Sequence, residues 1–432
     1  MTSPKIPQEL LYPILDNLDD DLPTLCACSI VAKAWLWPSR SYIFGNLTVN
    51  CVSPLRDDDY TLSNLLPFLQ KHPDICAHVQ SLRLRPGRSS TLLRRALVAP
   101  SIIAAFLSLC PRLHTVKLLS VDFVGKSLLP IHTSPRFHLK ELRFVGQPHA
   151  ILKLDALLDL LGFFSSIERL DLMFVDPDTV SWANLGKELN NGRVSKNLKI
   201  SEIACAGRFL SIVLRMDLSS LHEASVSFHK LQDLQLTADL LTTADNIVFC
   251  HFVITPLLVD IVKHSGGPFD SWPTLRLSDC KQLRTMSLRG MVMEKLPFMS
   301  QFTFSSFVEI ITLLPITVEI CTLWIDMIGN PRSLCSHVQS LDWPKLTRAL
   351  SSRVEPMKKV EIIFSTDTHH SWEKVQCLHR LREHAKEALS ELQSSVLLEV
   401  QGYIGELPAL LPEGMLRVGN SLFKFSLVCE LL

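Results

Sequence analysis

The sequence lacks the features that mark several large classes of protein. Lys plus Arg and Asp plus Glu number 43 each, so no net positive charge exists to gather the phosphates of a nucleic acid. We therefore expect no DNA or RNA partner. A Gly-rich phosphate loop, a nucleophile elbow and a recognisable pair of catalytic carboxylates are also missing. The sequence predicts a protein that is not an enzyme and that uses no cofactor.

Long uninterrupted apolar runs are missing as well. The most apolar stretch, Phe302 to Ile328, is broken by two glutamates and a proline, and a carboxylate in lipid costs roughly 3 kcal/mol. We interpret this stretch as protein core and not as a membrane span. Residues 1–16 contain prolines and Glu9 where a signal peptide needs an apolar centre. We expect a cytoplasmic or nuclear protein that does not enter a membrane.

The twelve cysteines do not have the paired spacing of a zinc site. Cys76 with His78, and Cys110 with His114, have no matching second pair elsewhere in the chain. We expect free thiols in the core and no bound metal.

What the sequence has in quantity is apolar residues, at 47% against 20% charged residues. This balance can bury a large core and argues against a disordered chain. At 432 residues the chain exceeds what one compact core usually serves. Either several domains or one elongated repeat array would satisfy this length.

The N-terminal segment IPQELLYPILDNL has the apolar pattern of one amphipathic helix. Its large apolar residues fall within an arc of about 140° at 100° per residue: they are Leu10, Leu11, Ile14, Leu15 and Leu18. Pro13 removes an interior hydrogen bond, so a kink or a restart of the helix is expected there. A second helix is predicted from Leu22 to Cys28, and a third segment continues to Phe44 around Pro38.

Three short helices cannot enclose this many large apolar groups, because so small a unit buries only about 60% of its unfolded surface. The surplus apolar surface can pack on the following domain, or it can stay exposed for a partner. The pattern alone leaves both alternatives open.

The runs PQELLYPIL, DLPTLCACSIVAKAW and SRSYIF resemble the F-box motif in its fungal form. The matching positions are Pro7, Glu9, Leu10, Ile14, Leu15, Leu25, Cys28, Ser29, Val31, Lys33, Trp35, Arg40 and Phe44. The resemblance implies a three-helix module that binds a Skp-type adaptor and, through it, a cullin ligase. The adaptor-binding residues that it implies are Ile6, Pro7, Leu10, Leu11, Ile14, Leu15, Leu18, Leu22, Leu25, Val31 and Trp35.

A six-residue pattern recurs along the rest of the chain: apolar, two others, apolar, one other, apolar. We call each occurrence a hexad. The hexads begin at Val79, Leu113, Leu139, Ile167, Ile200, Leu231, Leu283, Ile320 and Met357. Their fourth residues are 26 to 52 positions apart, as expected for a repeat unit with variable insertions.

The last two apolar residues of a hexad are two apart, which places them on one face of a strand. Apolar helical runs lie between hexads, for example Ile102 to Cys110 and Leu154 to Phe164. Helices of this length return the chain to a parallel neighbour. The pattern predicts an irregular α/β solenoid with a parallel sheet. It resembles a leucine-rich repeat without the Asn that usually follows the strand, and an ordinary α/β domain is the alternative.

These observations predict an α/β protein with a three-helix F-box at residues 1–50, a leucine-rich-repeat-like solenoid at 60–405 and a C-terminal tail at 406–432. The boundary is placed at the acidic stretch from Asn50 to Asp59. The expected function is that of a substrate-recognition adaptor of a Skp-cullin-F-box ubiquitin ligase, with an unknown protein target. The alternative is a non-ligase leucine-rich-repeat scaffold whose F-box is degenerate.

Overall fold

The computed structural model describes residues 7–18, 21–51, 62–86, 96–119, 121–123, 137–145, 151–152, 154–172, 176–177, 198–228, 232–254, 271–353, 357–366, 372–394 and 396–404. The chain divides into two compact units, Met1–Leu221 and His222–Leu432. Each unit combines parallel strands with helices, so the predicted α/β class with a parallel sheet is confirmed. Ile6, most of the predicted boundary after Cys51 and the predicted tail lie outside the described residues.

The first unit begins with three helices and continues as strands that alternate with helices. The helices are α1 (Gln8–Asp16), α2 (Leu22–Val31), α3 (Lys33–Gly45), α4 (Leu62–Lys71), α5 (Pro73–Cys76), α6 (Pro100–Leu109), α7 (Leu154–Leu161) and α8 (Leu210–Val213), with a 3₁₀ turn at Gly207–Phe209. The strands are β1 (Asn46–Cys51), β2 (Ser81–Pro86), β3 (Ala96–Val98), β4 (Thr115–Leu119), β5 (Val121–Phe123), β6 (Phe137–Val145), β7 (Ile151–Leu152), β8 (Phe164–Leu172), β9 (Asp176–Pro177) and β10 (Lys199–Ala206).

The main sheet of this unit has the order β1-β2-β4-β6-β8-β10, and every described pairing in it is parallel. The fourth residues of the first five hexads lie side by side across it: Leu82, Val116, Leu142, Leu170 and Ile203. All five are fully or almost fully buried. The predicted repeat register is therefore confirmed in this unit, and these side chains form one continuous apolar row.

The second unit repeats the same scheme. Its strands are β11 (Glu223–Phe228), β12 (Phe249–Ile254), β13 (Thr285–Met293), β14 (Ile320–Ile328), β15 (Lys359–Thr366) and β16 (Leu397–Ile404), hydrogen-bonded in that order and all parallel. Its helices are α9 (Gln232–Thr243), α10 (Pro297–Leu313), α11 (Pro331–Gln339), α12 (Trp343–Ser351) and α13 (Trp372–Ala388), with 3₁₀ turns at Trp272–Leu275, Leu277–Asp279 and Ser390–Ser394.

The stretch interpreted as core, Phe302 to Ile328, contributes most of α10 and all of β14. Phe304, Phe307 and Ile311 are buried on α10, which packs directly on β13. The close approach depends on Gly290 of β13, because a Cβ atom there would collide with Thr303 of the helix. In the described part of the chain, no helix has both the length and the apolar character that crossing a bilayer requires.

Two hexad assignments in the second unit are wrong. The hexad drawn from Leu231 is not a strand, because its described residues from Gln232 onward belong to α9. The strand of that repeat lies earlier, at β11, in a hexad that begins at Leu221 and has Ala224 in fourth place. The hexad drawn from Ile320 is displaced by two residues, because Met286 and Val360 both pair with Cys321. A two-residue shift keeps the same face inward, so the predicted burial still holds.

The N-terminal helices form a small bundle, in which α1 and α2 both pack on α3. The helix α1 runs through Pro13 without restarting, and α3 runs through Pro38. Asp21 caps α2 by accepting from the backbone N–H of Thr24 at 3.1 Å. The last residue of α3, Gly45, is followed directly by the first residue of β1. No loop separates the helical module from the sheet.

Candidate interaction surfaces

The apolar arc of α1 is divided between the inside and the outside of the protein. Leu11 and Leu15 are buried, and they form part of the module's own core. Leu10 and Ile14 each come one residue before a buried leucine, and their side chains remain 53% and 39% exposed. Residues four apart share one side of a helix, so Leu10 and Ile14 form an exposed apolar stripe beside a buried one.

A second exposed stripe follows α2. Leu22, Cys26 and Ile30 are spaced by four and therefore lie on one side of the helix, and all three are exposed. Leu22 is 52% exposed and Ile30 is 84% exposed. We use the name apolar patch for these two stripes taken together: Leu10 and Ile14 on α1, and Leu22 and Ile30 on α2.

The predicted adaptor contacts fall into three groups in the structure. Pro7, Leu10, Ile14, Leu22 and Val31 are exposed, and Leu18 and Trp35 are half-buried. Leu11, Leu15 and Leu25 are buried, so they serve the fold of the module and can reach a partner only after rearrangement. Ile6 lies outside the described residues. Ile30, the most exposed apolar residue of the module, was missed, although its i, i+4, i+8 spacing with Leu22 and Cys26 is visible in the sequence.

Polar contacts join α3 of the helical module to α5 and to the residues between α5 and β2. The Arg40 guanidinium donates to Asp74 at 2.7 Å, and it lies 5.7 Å from the centre of the Trp37 ring. Ser41 Oγ lies 2.9 Å from Nδ1 of His78, whose ring also contacts Trp37 at 5.3 Å. Burial, together with the nearby Arg112 and Arg40, lowers the pKa of His78. The imidazole is therefore held neutral at physiological pH.

On the sheet of the first unit, the fifth residue of each hexad faces away from the apolar row. We call this side the polar face. Its fifth-position residues are in register across four strands, and they are Arg83, Lys117, Arg143 and Asp171. Lys117 pairs with Glu141 at 3.0 Å, and Arg143 lies 3.2 Å from Asp171. This row was not singled out in the sequence, although the hexad pattern already contained it.

The polar face of the second unit has a hydrogen-bonded network around Asp326. Its carboxylate accepts from Nε of Arg289 at 2.7 Å and from the indole N–H of Trp324 at 3.0 Å, and Ser365 donates to it as well. Trp324 is only 2% exposed, and Arg289 lies over its ring at 5.5 Å. These residues come from three adjacent strands, so the network also links β13, β14 and β15.

The same face carries a charged cluster near the beginning of β15 and β16. Lys359 pairs with Glu361 at 2.5 Å and with Glu399 at 3.1 Å, and its pKa is raised, mainly through the hydrogen bond to Glu361. On β12, burial and the nearby Arg289 lower the pKa of His251 to about 3. His251 is therefore neutral near pH 7, with Nδ1 at 2.8 Å from Ser287 Oγ.

The described cysteines are free thiols, and most of them are buried. Burial raises the pKa of Cys51 to about 11 and the pKa values of Cys110 and Cys321 to about 12. A thiol with so high a pKa stays protonated at neutral pH and is a poor nucleophile and a poor metal ligand. These side chains act as small apolar groups within the repeats.

Comparison with known proteins adds no family to this geometry. No protein-family model matches the chain, and no curated protein matches it.

Proposed function

We propose that this chain is the substrate-recognition subunit of a Skp-cullin-F-box ubiquitin ligase, with the N-terminal module as an F-box that binds a Skp-type adaptor. The observation that carries the proposal is the apolar patch formed by Leu10, Ile14, Leu22 and Ile30. These side chains remain exposed beside a module core that is already filled by Leu11, Leu15 and Leu25. An apolar surface left open on so small a module is typical of a docking site.

The area of the patch is large enough to matter for binding. Fully burying a leucine or isoleucine side chain contributes about 1.5–3 kcal/mol, and these four are 39% to 84% exposed, so covering all of them contributes about 4 kcal/mol or more in total. The sum of about 4 kcal/mol corresponds to roughly a thousandfold in affinity. The ordered series of F-box positions in the same helices supports a Skp-type adaptor as the partner that covers this surface.

In this function the chain catalyses nothing. It holds a target protein close to the ubiquitin-transferring enzyme and raises the effective concentration of the target's lysines there. The parallel strands with polar outer faces supply a rigid surface for the target. The function therefore needs two separate surfaces, and the apolar patch and the polar face lie on different elements of the first unit.

The test is co-purification of the full chain with a Skp-type adaptor. The double variant Leu10→Asp/Ile14→Asp should lose the adaptor, since each unpaired carboxylate in such an interface costs at least a few kcal/mol. Ile316→Asp is the matched control, because Ile316 is also an exposed isoleucine but lies in the second unit. Leu11→Asp is unsuitable, because it places a carboxylate in the module core. Wild-type retention of the adaptor by the folded double variant would refute the docking site.

The scaffold alternative is separated by measuring target turnover. Removal of residues before Asn50 would cut through β1, so the docking variant is the better tool. Proximity labelling identifies bound proteins, and a translation-block chase then compares their decay with the wild type and with Leu10→Asp/Ile14→Asp. A ligase subunit predicts slower decay with the variant. Equal decay with both chains would refute the ligase function and favour a scaffold.

A further inference from the structure

The strand β16 is the last in the sheet order of the second unit, and among the described residues it has a neighbouring strand on one side only, β15. Leu397 donates its backbone N–H to the carbonyl oxygen of Lys358 at 3.0 Å, on the side of β15. Successive N–H groups of a strand point in opposite directions, so the N–H of Leu398 points to the open side. An open edge of this kind can pair with a further strand.

The apolar side of the sheet is also open at this edge. Met286, Cys321 and Val360 occupy the fourth hexad position on β13, β14 and β15, and all three are completely buried. Leu398 continues this row on β16, in register with Val360, but it is only half-buried. An apolar side chain beside Leu398 would complete the burial of the row.

Residues 405–432 lie outside the described residues, but their sequence contains one further hexad, from Leu422 to Leu427, with Phe425 in fourth place. Phe425 comes 27 positions after Leu398. The fourth residues of neighbouring strands within each unit are 26 to 39 positions apart, so the spacing fits one more repeat. The connection that remains, residues 405–421, exceeds the roughly twelve residues that a crossover to a parallel strand needs.

The charge of this hexad matches the charge at the edge. The cluster on β15 and β16 combines two carboxylates, Glu361 and Glu399, with the one ammonium group of Lys359. Glu399 is 36% exposed, so a second cation can reach it. Lys359 is the third residue of its hexad, and Lys424 is the third residue of the hexad in the tail. On a strand next to β16, Lys424 would approach Glu399 from the open side, as Lys359 does from β15.

We propose that residues 422–428 of this chain form a parallel strand on the open edge of β16, with Phe425 in register with Leu398. This strand covers the half-buried end of the apolar row, accepts hydrogen bonds from the N–H groups at the edge and brings a second positive charge to Glu399. It also closes an edge that would otherwise be open to a second copy of the chain. The edge of β16 is thus a docking site for the chain's own tail, separate from the adaptor site.

Hydrogen exchange of the full chain, followed by mass spectrometry, tests this docking. The amides of residues 422–428 should exchange at least roughly a hundredfold more slowly than in a free peptide of the same sequence, because a docked strand exchanges only after it opens. In Phe425→Asp a carboxylate would enter the apolar row, so the protection of residues 422–428 and of Leu398 should be lost. Phe425→Leu is the matched control, because it keeps a large apolar side chain at the fourth position, and it should retain most of the protection.

A charge exchange tests the register. Lys424→Glu should reduce the protection of residues 422–428 roughly twofold to fivefold, since a partly exposed ion pair contributes little. Combination with Glu399→Lys should restore the protection, because the exchanged charges attract each other again. Failure of the double variant to recover would refute the proposed register.

Two results would overturn the docking itself: exchange of residues 422–428 at the free-peptide rate in the wild type, or wild-type protection in Phe425→Asp. Size-exclusion chromatography over a range of protein concentrations adds a further criterion. A dimer in which Leu398 is protected while residues 422–428 are not would assign the edge to a second copy of the chain. These measurements contain no adaptor and no target, so they are independent of the proposed ligase function.

Discussion

Replacement of Asp326 tests how much the polar network of the second unit contributes to its stability. The carboxylate accepts from the Arg289 guanidinium, the Trp324 indole and the Ser365 hydroxyl. In Asp326→Ala the buried indole N–H keeps only Ser365 Oγ, at 3.3 Å, as an acceptor. A poorly satisfied buried donor costs about 1–3 kcal/mol. Arg289 is partly exposed and can be rehydrated, so its lost ion pair adds at most about 1 kcal/mol.

We therefore expect Asp326→Ala to lower the free energy of unfolding by about 2–4 kcal/mol. Asp326→Asn is the matched variant, because its amide oxygen still accepts from Trp324 while the negative charge is lost. It should cost about half as much. Urea unfolding, followed by tryptophan fluorescence and by circular dichroism, gives both values. A change below about 0.5 kcal/mol in Asp326→Ala would show that the network does not stabilise the unit.

Two further predictions concern the apolar row of the first unit and the pH dependence of the stability of the second unit. Leu142→Ala and Leu170→Ala should each lower the free energy of unfolding by about 2–5 kcal/mol, and because the two side chains are neighbours, the double variant should not be additive. The exposed Leu397→Ala is the control, and unchanged unfolding midpoints for the two core variants would refute the register. The pKa of His251 is lowered from 6.5 to about 3 in the folded protein. The neutral imidazole therefore contributes fully to the free energy of unfolding above pH 6.5, and this contribution is lost as the pH falls towards 3. Between pH 7.5 and pH 5 the wild type should therefore lose about 2 kcal/mol more stability than His251→Gln, and parallel pH curves would contradict the assignment.

The repeat register of the first unit could be predicted because its hexads contain large side chains at each apolar position. Val79, Leu82 and Leu84 show the scheme: the first lies just before the strand, and the other two point inward from it. All three are completely buried. In a sheet with one apolar side, such an alternation fixes the strand register, because a slip of one residue would turn the apolar side chains to the polar side.

The sequence did not predict the register of the strands in which a small residue occupies the fourth hexad position. Ala224 and Cys321 occupy that place in β11 and β14, and Cys250 does so in β12. Each is buried and pairs in register with its neighbours, but none contrasts strongly with the surrounding sequence. Leu231–Leu236 fits the hexad by chance, because apolar residues three apart also suit one side of a helix. Only the pairing of strands across the sheet distinguishes a hexad that forms a strand from one that lies on a helix.

The surfaces were harder to predict than the core. One helical pattern cannot show which half of an apolar arc is covered, since the difference between Leu10 and Leu11 depends on where α3 packs. The network around Asp326 joins hydrogen-bond partners up to 41 positions apart, which become neighbours only through the sheet. The charged residues of the polar face, Arg83, Lys117, Arg143 and Asp171, occupy a fixed hexad position in the sequence, but they become neighbours only through the sheet.

Because α3 continues directly into β1, the distance and the angle between the helical module and the sheet of the first unit are fixed. With Arg40 held by Asp74 and Ser41 held by His78, the helical module cannot swing on a tether as it could on a flexible linker. A partner on the apolar patch and a target on the polar face of the first unit would therefore be held at one distance and one angle. Under the proposed function, only lysines that the target itself can bring to that point would be modified. The geometry of this junction would then select among acceptor lysines without any contact to them.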